Sequence, residues 1–91
     1  MSFTFEELVA KQRAADAAHA QVMELRDAYG PPAEAQLTGA QKETYETALR
    51  AWRELARDVQ TAVSAYARDT GRARPELEAE VEKAAAATED T

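Results

Sequence analysis

Cysteine is absent from this 91-residue chain, and glycine and proline are scarce, with three of each. Without cysteine there is no disulfide scaffold, no thiolate nucleophile and no cysteine-based metal site. No apolar run approaches the roughly 18 to 20 residues that a membrane-spanning helix needs. The amino terminus also lacks a basic segment followed by an apolar one, so export through a cleaved signal peptide is not expected. We therefore expect a cytoplasmic protein that does not bind membranes.

The sequence also has few of the patterns that carry catalysis. It contains no glycine-rich phosphate loop and no nucleophile elbow, and His19 is its one histidine. Asp16 and Met23 are the helical neighbours of His19. A metal site, however, needs about three converging ligands, and the first helix offers no second histidine. We predict that the protein is not an enzyme and that it holds no metal or cofactor.

Alanine dominates what is present. It accounts for 22 of the 41 hydrophobic residues. Alanine is the best helix former but buries little surface, so helices form readily while the core between them is thin. A chain of this length is one domain with marginal stability, and a thin core favours self-association.

Start and stop signals divide the chain into helices. Thr4 with Glu7, and Thr38 with Gln41, have the spacing of capping boxes. Gly30 is followed by two prolines that cannot continue a helix, and Gly71 has the position of a second carboxyl-terminal cap. Pro75 suits the first turn of a third helix. These signals predict a single helical domain over residues 1–87, with helices at about 4–29, 38–70 and 75–87, and a disordered tail at 88–91.

The second predicted helix carries an almost unbroken heptad seam. A single helix cannot bury its own apolar stripe, so other helices must cover it. The short connection after Gly30 returns the chain alongside the first helix. We predict an all-α antiparallel hairpin of two long helices plus a short third carboxyl-terminal helix, which dimerises into a helical bundle. The seam consists of Tyr45, Leu49, Trp52, Leu55, Val59, Val63 and Tyr66.

The hairpin geometry predicts a register. If it closes across residues 30–37, residue i of the first helix faces residue 67 − i of the second, which places Trp52 opposite Ala15. The second helix then extends beyond the first and leaves Tyr66 with little cover. Either the third helix, through Leu77 and Val81, or a second chain is expected to cover that end.

Arginines form a candidate basic patch on the second helix and the joint that follows it. Residues 38–74 hold seven basic and five acidic groups, whereas the whole chain has a net charge of −6. A basic stripe of this kind suits phosphates or an acidic partner. Interleaved acidic residues neutralise part of it, which is typical of a solvated face. The candidate residues are Arg50, Arg53, Arg57, Arg72 and Arg74.

The layout is similar to that of the small helical-hairpin proteins exported by type VII secretion systems, which have about this length and lack leaders. The sequence departs from that family in two motifs. Trp52 is followed by Arg53 and Glu54 instead of forming a Trp-x-Gly turn, and Tyr66 has Thr70 instead of an acid four places on. The resemblance implies export without a leader, and the chain is not assigned to the family.

These observations predict a non-enzymatic interaction or assembly module that self-associates through the seam as a homodimer. Two alternatives remain. In the first, the protein accompanies nucleic acid and uses the arginine-rich face, although the acidic net charge argues against DNA as its main ligand. In the second, it is a leaderless secreted hairpin protein.

Overall fold

The structure is a computed structural model that describes residues 3–30 and 37–87. It contains α1 (Phe5–Tyr29), α2 (Gly39–Thr70) and α3 (Arg74–Ala87). The predicted fold class is confirmed, because two long helices pack against each other and a short third helix follows. The connection at 31–36 and the predicted disordered tail at 88–91 lie outside the described residues.

The helix ends are set by local hydrogen bonds that the sequence predicted. At the start of α1, the Thr4 hydroxyl accepts from the backbone N–H of Glu7, and the Glu7 carboxylate accepts from the N–H of Thr4. Thr38 and Gln41 make the same reciprocal pair at the start of α2. Each box satisfies two backbone donors that have no partner within the helix.

Gly71 ends α2 in the left-handed conformation, with φ of 68°. The next backbone N–H, that of Arg72, reaches back to the carbonyl of Ala67 at 3.0 Å. Glycine adopts this φ without a steric penalty, so the chain turns sharply after Thr70. Helix α3 then begins at Arg74, one residue earlier than predicted, and its first turn tolerates Pro75 because no N–H is needed there.

Two aromatic contacts join the long helices. The rings of Phe5 and Tyr66 lie 6.4 Å apart, and those of His19 and Trp52 lie 4.6 Å apart. The two pairs establish that α1 and α2 are antiparallel. Trp52 also lines a surface depression together with Ala15, the residue that the predicted register places opposite it. Side chains on a helix lean toward its amino terminus, so rings from antiparallel helices meet between the levels of their own backbones.

The core lies at the end of the hairpin remote from the 31–36 connection, which we call the open end. Leu77 and Val81 of α3 are fully buried there, together with Leu8 of α1 and Val63 of α2. Tyr66 packs against this cluster. The predicted cover of the seam by the third helix is thus made within one chain.

Helix α3 lies across the groove between the two long helices. The Arg74 guanidinium, at its start, hydrogen-bonds the side chain of Gln60 on α2. Near its other end, Ala84 lines a surface depression with Phe5 and Val9 of α1. The molecule measures 49 × 29 × 19 Å, and its long axis matches the roughly 48 Å expected for α2. No helix among the described residues is long and apolar enough to cross a membrane.

Candidate interaction surface

The part of the hairpin nearest the connection is covered much less than the open end. We call this part the stem and define it as residues 16–29 of α1 with residues 39–56 of α2. Among the described residues of the stem, Val22 alone is buried. Met23, also in the stem, is the one large hydrophobic side chain in the described chain classed as exposed, at 40%. The apolar face of the stem is therefore only partly covered by this chain.

The predicted seam residues divide between the two regions. Val59 and Val63 are buried at the open end, where Leu55 and Tyr66 pack against the core from its margin. Tyr45, Leu49 and Trp52 lie in the stem and are half-buried. Of the two covers expected for the end near Tyr66, the third helix or a second chain, the structure shows the third helix, through Leu77 and Val81. The stem, at the other end of the seam, is left only partly covered.

Trp52 lies at the boundary between the covered and uncovered parts of the groove. Its indole packs on the imidazole of His19, with ring centroids 4.6 Å apart and planes inclined by 37°. His19 itself is exposed. An aromatic pair of this kind fixes the orientation of both rings. This pair was not predicted from the sequence, although Ala15, which the predicted register places opposite Trp52, lines a depression together with it.

A depression of about 240 Å³ lies beside this pair. Ala15, Ala56 and Val59 supply its apolar lining, and its polar lining includes Asp16 of α1 and Glu82 of α3. The side-chain amide of Gln12 donates a hydrogen bond of 2.9 Å to Oδ1 of Asp16. Two exposed carboxylates thus lie on the α1 and α3 side of this depression.

A second depression, of about 330 Å³, adjoins the first. The two share Trp52, Ala56 and Gln60, and the second is completed by Arg53 and Arg57. Both arginines are exposed. We call the shared residues Trp52, Ala56 and Gln60 the strip; it has arginines on one flank and carboxylates on the other.

The other predicted basic residues are engaged by α3. Arg72 pairs with Glu80, and Arg74 pairs with Glu78 at 2.9 Å while it also bonds Gln60. The hydrogen bond from Arg72 lowers the pKa of the Glu80 carboxyl; desolvation opposes this effect, and the positive charge of Arg72 adds a smaller lowering. The same hydrogen bond raises the pKa of Arg72. These pairs fix the joint to α3 and neutralise two of the five predicted arginines.

Arg50, Arg53 and Arg57 are exposed, and none forms an ion pair with a described residue. The same holds for Asp16 and Glu82. Within the described residues no group of three or more histidine or acidic side chains is placed to hold a metal ion. This surface therefore offers apolar contacts and charged groups that form no ion pair with a described residue.

Comparison of the chain with protein-family models, with curated proteins and with solved structures gives no match in any of the three. Arguments about function consequently rest on the geometry of this surface.

Proposed function

We propose that this chain is a non-enzymatic helical interaction module that self-associates as a homodimer through the stem. The observation that supports this proposal most directly is the uneven cover of the seam. Helix α3 buries the open end, whereas Tyr45, Leu49 and Trp52 of the stem stay half-buried. A second copy supplies the missing helices and turns the two-helix stem into a four-helix arrangement. A cytoplasmic location is part of the proposal.

The size of the exposed surface supports association. The chain exposes 6372 Å², whereas a compact monomer of 10.0 kDa exposes about 5200 Å². The excess, on the order of 1000 Å², exceeds the roughly 800 Å² that each partner buries in a standard interface. The radius of gyration of 15.9 Å also exceeds the value of about 12 Å for a compact domain of this length. The elongated chain as a whole therefore exposes more surface than a compact monomer, and the surplus is large enough for a standard interface.

Size-exclusion chromatography with light scattering, over a range of protein concentrations, tests the proposal. We expect a mass of twice the 10.0 kDa chain. Trp52→Ala, in the stem, shifts the protein toward the monomer while leaving its helicity intact. Val63→Ala, in the buried core, is the matched control: it lowers the free energy of unfolding and leaves the folded protein dimeric. A wild-type monomer at every concentration, with a cooperative melt, overturns the proposal.

A second candidate function is binding to nucleic acid phosphates. It is supported by the three exposed arginines of α2 that form no ion pair with a described residue: Arg50, Arg53 and Arg57. Three phosphate contacts predict that the logarithm of affinity falls with the logarithm of salt concentration with a slope of about −3. Titration of duplex and single-stranded oligonucleotides at several salt concentrations measures this slope. No binding at low salt excludes the candidate.

A further inference from the structure

The strip has a charge arrangement that fits a second copy of itself. Arg53 and Arg57 lie on one flank, and Asp16 and Glu82 on the other. In a twofold dimer the same patch faces itself, and when the axis runs along the strip a feature on one flank meets the opposite flank of the partner. Because each side of the strip carries one sign of charge, a twofold rotation about an axis along the strip places opposite charges face to face on both flanks. An axis across the strip would bring like charges together instead.

We propose that two copies associate about a twofold axis through the strip, with Arg53 and Arg57 of each copy facing Asp16 and Glu82 of the other. This inference rests on the proposed homodimer and specifies its surface. Every ionic contact is made twice by symmetry. Trp52 lies near the centre, where large aromatic side chains contribute most to binding, and Ala56 is small enough to let the two α2 helices approach closely.

The intrachain ion pairs support the assignment. Helix α3 uses Glu78 and Glu80 to neutralise Arg74 and Arg72 in its own chain. Glu82, which lines the same depression as Trp52, forms no ion pair with a described residue. Arg53 and Arg57 are equally without one, as are most exposed charges of the described chain. The charges that flank the strip are therefore available to a partner.

The stacking of Trp52 on His19 prepares the surface for a partner. An indole held by a neighbouring ring has less rotational freedom to lose when it is buried, which lowers the entropic cost of association. The 240 Å³ and 330 Å³ depressions on either side of the strip provide room for the partner's side chains.

Charge reversal tests this arrangement. Two variants are prepared, Arg53→Glu with Arg57→Glu, and Asp16→Arg with Glu82→Arg. Each places like charges face to face at both symmetry-related contacts, so we expect its dimer to dissociate at roughly hundredfold higher concentration than the wild type. An equimolar mixture of the two has opposite charges at both contacts and is expected to restore a dimer. Arg68→Glu is the control, because Arg68 is exposed on α2, outside the stem, and lines neither depression, and it leaves the dimer intact.

Light scattering and sedimentation of the four proteins and the mixture distinguish the outcomes. Circular dichroism checks that every variant is helical, and rescue in the mixture shows that both fold. A dimeric wild type whose reversed variants stay dimeric, or whose mixture stays monomeric, overturns the strip as the interface and leaves the homodimer proposal standing. A wild type that is monomeric throughout overturns the homodimer itself.

Discussion

The imidazole of His19 packs on the indole of Trp52, at 4.6 Å between ring centroids. This contact joins α1 and α2 near the middle of the hairpin, as the contact of Phe5 with Tyr66 does near the open end. It holds Trp52, one of the three residues of the strip, against α1.

The helix ends were predictable because the interactions that make them are local. Thr4 with Glu7 and Thr38 with Gln41 lie three residues apart, so the sequence itself shows both partners of each capping box. The glycine cap at Gly71 depends on one residue's freedom to adopt positive φ. Such signals are complete within a few neighbouring positions and need no knowledge of tertiary packing.

The His19–Trp52 contact was not predictable for the opposite reason. Alanines at positions 14, 15, 17 and 18 present similar small side chains on successive turns of α1, so the pattern of apolar residues does not single out His19 as a neighbour of Trp52. The strip beside this contact depends on the same packing between distant residues. The position of α3 across the groove likewise depends on long-range contacts, although the burial of Leu77 and Val81 followed from their spacing.

The capping box of α2 is testable with two substitutions of the same type. Thr38→Ala removes the side-chain acceptor for the N–H of Gln41 and is expected to lower the free energy of unfolding by about 1 kcal/mol. Thr44→Ala, within the same helix, removes a hydroxyl that bonds only the carbonyl of Ala40 at 2.9 Å. Alanine is the better helix former there, so stability is expected to stay or rise slightly. Urea unfolding at one fixed protein concentration compares them; equal losses would contradict the capping role.

The attachment of α3 depends on Leu77, whose side chain is fully buried against the long helices. Leu77→Ala leaves a cavity in this thin core and is expected to cost about 2 to 5 kcal/mol, which is enough to release α3 or unfold the chain. Ala79→Ser changes an exposed position on the same helix and is expected to stay within about 0.5 kcal/mol. Thermal unfolding measures both, and hydrogen exchange in α3 shows whether that helix detaches first. A loss below about 1 kcal/mol for Leu77→Ala would show that α3 is not held by this side chain.

The ion pair between Arg72 and Glu80 predicts a pH dependence of stability. The hydrogen bond from Arg72 lowers the pKa of Glu80 in the folded protein relative to the unfolded chain. A lowered carboxyl pKa contributes stability that is present above the unfolded pKa and is lost as the pH falls through the folded one. The raised pKa of Arg72 keeps the guanidinium charged throughout that range. The pair therefore helps to hold α3 at neutral pH and ceases to do so in acid.

Glu80→Gln removes the ionisable partner and is expected to lower the urea midpoint slightly at pH 7, because the pair is solvent-exposed and surface pairs contribute little. Below the usual carboxyl range the wild type and the variant should converge, since Glu80 is protonated in both folded and unfolded wild type there. Glu24→Gln, which removes an exposed carboxylate with no ion pair to a described residue, is the control and should show no such convergence. A Glu80→Gln difference that persists unchanged to low pH would mean that the effect of the substitution is independent of the charge of Glu80, and that this charge does not help to hold α3.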